Sequence, residues 1–235
     1  MVTSTLYTSG QYLANTGSWH AEDSSWKAGC IRDIVVKNAL PRQSFVEIGC
    51  GAGGILDSLS RMAEFDSTTF HGYDISPKAI ELCVARNNPR ISFACRSAFD
   101  DPATDASDIL AAIDVFEHVP DYMGFLERCR AKARYKIYHV PLEIHVSALL
   151  RGAVTVGRYS VGHLHYFTAE SAIATLKDTG HTIIDTTFTD LATNTQSGRS
   201  MRRSLANVSR RLVSSVSRRL TARLLGGVSL LVLAE

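Results

Sequence analysis

The sequence predicts an α/β protein built on a doubly wound, largely parallel sheet. Three observations carry this expectation. Between Phe45 and Val140, short apolar or β-branched runs alternate with segments of helical period. A glycine-dense turn, Gly49-Cys50-Gly51-Ala52-Gly53-Gly54, joins the first such run to a helix. Two of the runs close on an acid, Asp74 and Asp114, as strands do when their carboxyl ends face a site. With 235 residues, 45% of them hydrophobic, the chain suffices for one core of this kind, and a second full domain would be cramped.

Taken in order, Ile31, Ile34, Val35 and Ala39 recur at helical spacing after an Asp23-Ser24-Ser25 start signal and stop at Pro41, so a helix precedes the first strand. Trp19, His20, Trp26 and Lys27 lie before and within it, a staple onto the core or a lid over a ligand. Phe45 to Ile48 reads as strand one, and Ile55, Leu56, Leu59 and Met62 mark the helix after the turn. Thr68 to Tyr73 is strand two. Ser76 caps a helix that has Pro77 in its first turn and runs to Val84. Ile91 to Cys95 is strand three, and Asp108 to Asp114 is a continuously apolar strand four of the kind buried on both faces. A helix from Asp121 to about Lys132 and a strand from Tyr135 to Val140 repeat the unit, with right-handed crossovers expected throughout. Leu142 to Leu150 reads as helical, whereas Arg151 to Val161 lacks periodicity and reads as a substrate loop. Thr168 caps a helix to Asp178, ended by Gly180; His181 to Phe188 is strand-like, and Val228 to Leu233 is the last strand.

Charge is unevenly distributed. Arg199, Arg202, Arg203, Arg210, Arg211, Arg218, Arg219 and Arg223 follow one another with no acid between them, so the rest of a chain of net charge +2 is acidic. Leu205, Val208, Leu212, Val216, Leu220 and Leu224 form a seam there whose steps of four drift around a straight helix, so a bend near Ser214-Ser215 is expected. A solvated basic face is the plainest reading; contact of Arg202–Arg223 with a membrane surface or an anionic partner is the functional one. Nucleic acid is not expected, because no stacking aromatics interleave with these charges. The five cysteines are odd in number and contain no C-x-x-C pair, which fits reduced thiols. The start of the chain lacks a basic and apolar leader, and the longest apolar run, Leu224 to Ala234, is too short to span a bilayer, so a cytoplasmic protein is expected.

Gly49-x-Gly51-x-x-Gly54 with Asp74 some twenty residues on satisfies the dinucleotide fingerprint, which would make the protein a nicotinamide-dependent oxidoreductase. Glu47 bends the reading away from it. An acid two residues before the first glycine would repel a pyrophosphate but could anchor a cationic ligand, and the turn also reads as E-x-G-x-G-x-G.

Four motifs together resemble the class I S-adenosylmethionine-dependent methyltransferases: Val46 to Gly53, Gly72 to Pro77, Ile113 to Asp121, and Gly162 to Thr168. The resemblance covers nearly the whole chain. It implies a Rossmann-like seven-stranded sheet with an antiparallel last strand, and a single methyltransferase domain over 1–235. Within it, 1–40 would form a helical cap or lid, 41–140 the cofactor core, 141–167 the acceptor loop and 199–225 a basic helical insertion. It also implies S-adenosylmethionine as cofactor: Gly49, Gly51 and Gly53 beneath methionine and ribose, Asp74 on both ribose hydroxyls, Ile75 beside the adenine with Ser97 and Ala98 across from it, and the backbone of Ile113 and Asp114 at the methionine ammonium. Glu47 would join the cofactor-binding residues, anchoring a cationic ligand directly or through water. The acceptor would be a small molecule, methylated on oxygen in preference to nitrogen.

Asp114, Glu117 and His118 stand at i, i+3 and i+4, one face of a helical turn above the cofactor. His118 there could serve as general base toward a hydroxyl acceptor. Alternatively, two carboxylates and a histidine form half of a hard-metal site, completed by His163 or His165. The terminal-ribose methyltransferases of small RNAs and the ubiquinone-pathway O-methyltransferases look similar at this point, with an E-x-x-E-H cluster and a downstream histidine, although this chain has Asp114 first. We assign His118 and His163 as the catalytic pair and no metal; His139 and His145 read as structural or rim residues, and a non-catalytic docking protein stays open as a third class.

Overall fold

A computed structural model describes residues 21–86, 88–105, 107–190 and 213–235. Seven strands form one sheet: β1 (Ser44–Ile48), β2 (Thr69–Asp74), β3 (Ile91–Cys95), β4 (Ser107–Ile113), β5 (Ala133–Pro141), β6 (Ile183–Thr189) and β7 (Ser229–Ala234), in the order β3-β2-β1-β4-β5-β7-β6. The first five pair in parallel, and β7 runs antiparallel between β5 and β6. Among the described residues, the helices whose ends are both defined are α1 (Ser24–Lys37), α2 (Gly54–Ser60), α3 (Pro77–Cys83), α4 (Tyr122–Lys132), α5 (Val146–Leu150), α6 (Val156–Ser160), α7 (Ala169–Asp178) and α8 (Arg218–Leu224).

Alternation along the central strands divides the core between two layers. Phe45, Ile109, Ala111 and Ile137 pack with Ile31, Ile34 and Val35 of α1 and with Leu56 and Leu59 of α2. Val46, Leu110, Ala112 and Val140 point the other way, onto Leu126 of α4 and Ala172 and Leu176 of α7. Because β1 and β4 are covered on both sides, Phe45-Val46 and Ile109 to Ile113 are continuously apolar. At roughly 25 cal/mol per Å² removed from water, each fully buried leucine contributes about 2 kcal/mol toward this arrangement. Local signals set the helix ends. Ser76 accepts from the Ala79 N–H with Pro77 in the first turn, Asp121 accepts from the Gly124 N–H, and Thr168 and Ser171 cap α7 reciprocally.

The structure departs from the sequence reading in three places. The helix expected over 142–150 contracts to α5, and the aperiodic stretch after it holds a second short helix, α6. Helix α1 stops at Lys37, with Ala39 at φ 49° turning the chain toward β1. Of the basic segment, α8 is described, with Ser217 accepting from the Leu220 N–H. The seam residues Leu205, Val208 and Leu212, the arginines from Arg199 to Arg211, and Trp19 and His20 of the expected lid lie outside the described residues. Among the described residues, no helix is long and apolar enough to cross a membrane.

Candidate active site

The carboxyl ends of β1, β2 and β4 open into a cavity of about 820 Å³, walled on one side by the first turn of α1 and on another by Val161 and His163. Gly49 and Gly51 line it at φ 72° and 53°, a region that residues with a Cβ seldom enter. A Cβ at Gly49 would lie 2.7 Å from Val115 Cγ2. Gly53 does not line the cavity; its Cβ would sit 2.5 Å from Phe93 Cζ, so packing beneath the turn demands glycine there.

Four of this turn's N–H groups are engaged within the protein. Gly49 and Cys50 donate to the Tyr73 carbonyl at 2.7 and 3.1 Å, Gly53 to the Cys50 carbonyl at 2.8 Å, and Gly51 to Asp74 Oδ2 at 2.9 Å. At these positions the turn provides a bare surface and an oriented carboxylate. Asp74 receives a second bond from the Ser76 N–H at 2.8 Å; burial raises its pKa, and these N–H groups partly offset the rise.

Glu47 lies buried at the cavity floor with Oε2 unpartnered, and burial pushes its carboxyl well above the usual range. A cationic group entering the cavity would satisfy it. Ile75 also lines the cavity, 55% exposed, as an apolar side chain awaiting a flat partner. Ile113 and Asp114 line it too, whereas Ser97 and Ala98 do not. Ser97 accepts from the Phe99 N–H at the start of a short 3-10 turn, and Ala98 is packed in the core.

Asp114 differs from its expected setting. It lies just beyond β4 at φ 55°, outside the 3-10 turn Phe116–His118, so it does not share a helical face with Glu117 and His118. Its carboxylate instead takes Lys27 Nζ at 2.7 Å and His139 Nδ1 at 2.6 Å. Burial would raise its pKa, but His139 and Lys27 outweigh that and hold it below the usual carboxylate range. Lys27 responds in kind, raised by Asp114 against its own burial. His139 Nε2 meets Thr189 Oγ1 at 2.8 Å, and Trp26 packs edge-on to the imidazole, which ties α1 to the far half of the sheet.

Glu117, His118 and His163 do converge, each with a ligating atom within 4.8 Å of the others. The tautomers follow from the partners. His118 Nδ1–H donates to the Gly162 carbonyl at 3.2 Å, and His163 Nδ1–H donates to Glu143 Oε2 at 2.7 Å, so each ring carries its lone pair on Nε2. Glu117 is wholly buried, both its carboxylate oxygens lack partners among the described residues, and burial together with Asp114 drives its pKa well up. His165 is set apart: Nε2–H donates to the Val119 carbonyl at 3.0 Å, and the ring packs on Tyr122. His145 caps α5.

Sequence reasoning missed Glu143 and Gly157. Glu143 is an isolated acid in a stretch that has no other until Glu170, a signal that could have flagged it. A Cβ at Gly157 would meet Glu143 Oε1 at 2.5 Å and His163 Nδ1 at 2.8 Å, so the pair lies directly against α6.

Residues 46–134 match the family model described as a methyltransferase domain. Together with the sheet order, that match supports a class I S-adenosylmethionine-dependent methyltransferase. Among curated methyltransferases of this family, the ubiquinone biosynthesis O-methyltransferase of Bradyrhizobium diazoefficiens is 31% identical over 103 residues, 43% of this chain and 39% of that protein. The chain thus spans about two fifths of the length of the curated relatives it matches. The methyltransferase fold also superposes on magnesium protoporphyrin IX methyltransferase from Synechocystis, with bound S-adenosylhomocysteine, at TM-score 0.59 and 14% identity, covering 89% of this chain and 82% of that one. A phosphoethanolamine N-methyltransferase from Haemonchus contortus superposes at TM-score 0.52 and 15% identity over 83% of this chain and 49% of that one.

Proposed function

We propose that the protein transfers the sulfonium methyl group of S-adenosylmethionine to an oxygen, in preference to a nitrogen, of a small-molecule acceptor. The Glu47 carboxyl, whose Oε2 has no partner among the described residues, carries this reading, because it lines the same cavity as the glycine turn and Asp74. When bound, the cofactor supplies a methyl group on a good leaving group. The chain's work is then to bind and align. Glu47 would hold the methionine ammonium, Asp74 would accept from the ribose hydroxyls, Gly49 and Gly51 would leave room beneath, and Ile75 would cover the adenine. His118, through Nε2, would take the proton from an acceptor hydroxyl as it becomes nucleophilic, with His163 beside it. Distant kinship with the ubiquinone-pathway enzymes supports oxygen as the acceptor atom.

Differential thermal shift with S-adenosylhomocysteine and with NAD checks the cofactor: stabilisation by NAD alone would overturn the reading. His118→Ala should retain S-adenosylhomocysteine binding and lose methyl transfer to phenolic acceptors. An unchanged rate would remove it as base.

A second reading has one observation in its favour. Two unpartnered Glu117 oxygens beside Nε2 of His118 and His163 make a donor set of one carboxylate and two imidazoles, suited to a divalent ion. Glu117, His118 and His163 would hold the ion, which would supply positive charge for an acceptor oxygen, and Glu143 would orient His163. Chelator-stripped protein should then melt higher when Mn²⁺ or Zn²⁺ is added, and Glu117→Gln should not. Equal melting with and without ions would leave His118 as base.

A further inference from the structure

Eight of the thirteen large hydrophobic side chains that the described residues expose fall on two short stretches, 146–159 and 216–224. Leu150 and Tyr159 are each 83% exposed, and Leu149 and Val156 accompany them. The two stretches are neighbours: Ser147 Oγ donates to the Leu225 carbonyl at 3.2 Å, and α8 packs against α5. An apolar concentration of this kind is uncommon on a surface that water alone must cover.

The charge at this face has one sign. Between Glu143 and Glu170 the only charged residues are Arg151 and Arg158, both exposed. The flanking acids are already engaged, Glu143 by His163 and Glu170 by Arg219 and Arg223 of α8. Leucine, valine and tyrosine interspersed with unopposed arginine match a bilayer, whose apolar boundary lies directly beneath anionic headgroups. An acidic protein would be met by the arginines but would leave Leu149 and Leu150 without a counterpart. We propose that α5, α6 and α8 together form a docking face for an anionic lipid bilayer. The same stretch continues into Val161 and His163, which line the cavity, so docking would bring that wall of the cavity to the lipid side. This holds whether or not the proposed methyl transfer does, since binding to lipid is measured without turnover.

The test is co-sedimentation of the full chain with phosphatidylcholine vesicles with and without phosphatidylglycerol, at low and high salt. Wild type should sediment with the anionic vesicles and much less with neutral ones or at high salt. Arg151→Ser/Arg158→Ser should lower partitioning by about thirtyfold, and Leu149→Ser/Leu150→Ser by about tenfold or more. Val84→Ser, exposed elsewhere, should leave it unchanged. Wild type that ignores anionic vesicles overturns the proposal, as do leucine variants that sediment like wild type, which would assign any binding to the remaining arginines alone. A leucine variant melting well below wild type also overturns it, because the face is then covered by the chain itself. Binding to polyglutamate that is as tight as to vesicles and indifferent to the leucine changes would replace the bilayer with an acidic protein.

Discussion

Substituting Asp74 by Asn separates the two duties the structure gives this side chain. One oxygen accepts the Ser76 N–H and the other the Gly51 N–H, which fixes the glycine turn against the end of β2. An asparagine keeps a single acceptor, so an NH₂ group would face one of these N–H donors and the turn would shift. In the liganded protein the same substitution removes the charge that would accept from two ribose hydroxyls. A hydrogen bond to a charged group contributes about 1.5–3 kcal/mol, so two at the low end give about 3 kcal/mol, or roughly two orders of magnitude in affinity. Calorimetry with S-adenosylhomocysteine measures this directly. The pH dependence supplies a second check. Burial raises the carboxyl's pKa above 3.8 against the pull of the Ser76 and Gly51 N–H groups, and the ligand requires the ionised form. Wild-type affinity should therefore tighten as pH rises through that elevated value and level off above it, while Asp74→Asn stays flat. An Asp74→Asn protein that binds within threefold of wild type would refute the assignment of Asp74 to the ribose and, with it, the orientation of the whole cofactor.

Three further substitutions examine the surrounding architecture. Lys27→Met strips one cation from the buried Asp114 carboxylate and leaves His139 as its partner, so stability should fall by about 3 kcal/mol in urea denaturation; Lys27→Met/Asp114→Asn should recover part of that loss, and a loss under 1 kcal/mol in the single variant would mean the pair is solvated. Gly157→Ala pushes a methyl group into the Glu143–His163 contact and should lower turnover severalfold while S-adenosylhomocysteine affinity stays constant. Burial, aided by Lys136, lowers the pKa of His181 from 6.5 to about 4. The unfolded chain therefore takes up this proton first, and stability present above pH 6.5 is lost as pH falls toward 4. The wild-type thermal midpoint should drop over that interval, and His181→Asn should flatten the drop.

Legibility in the sequence followed the range of the interaction involved. Strands such as Asp108 to Asp114 announce themselves because burial on both faces requires every residue to be apolar, and caps such as Ser76, Asp121 and Thr168 act on N–H groups three residues away. The glycine turn was legible for the same reason, since Glu47 and the glycines are neighbours in sequence at the end of β1 and Asp74 closes β2. Contacts across long separations were not. Nothing local to Asp114 shows that Lys27 and His139 will claim its carboxylate, and that capture turns the apparent D-x-x-E-H motif into a cluster of Glu117, His118 and His163. Spacing had put Asp114 on a shared helical face, but the chain leaves β4 through a left-handed residue, which rotates that side chain away toward α1.

That rotation has a consequence for chemistry. With Asp114 held by Lys27 and His139, and Glu143 by His163, Glu117 is the acid beside His118 that has no partner among the described residues, and a fully buried carboxyl of that kind ionises only if a cation arrives. Acceptor binding, proton removal and any ion therefore converge on one protonation state. If Glu117 is neutral, His118 faces an uncharged neighbour and is left to act as the base. If a cation fills the cluster, Glu117 ionises, His118 becomes a ligand, and the acceptor oxygen loses its proton to solvent. A carbonyl-stretch difference spectrum between wild type and Glu117→Gln distinguishes these: a protonated-acid band that vanishes on adding Mn²⁺ places the cation at the cluster, and a band that persists places the proton there.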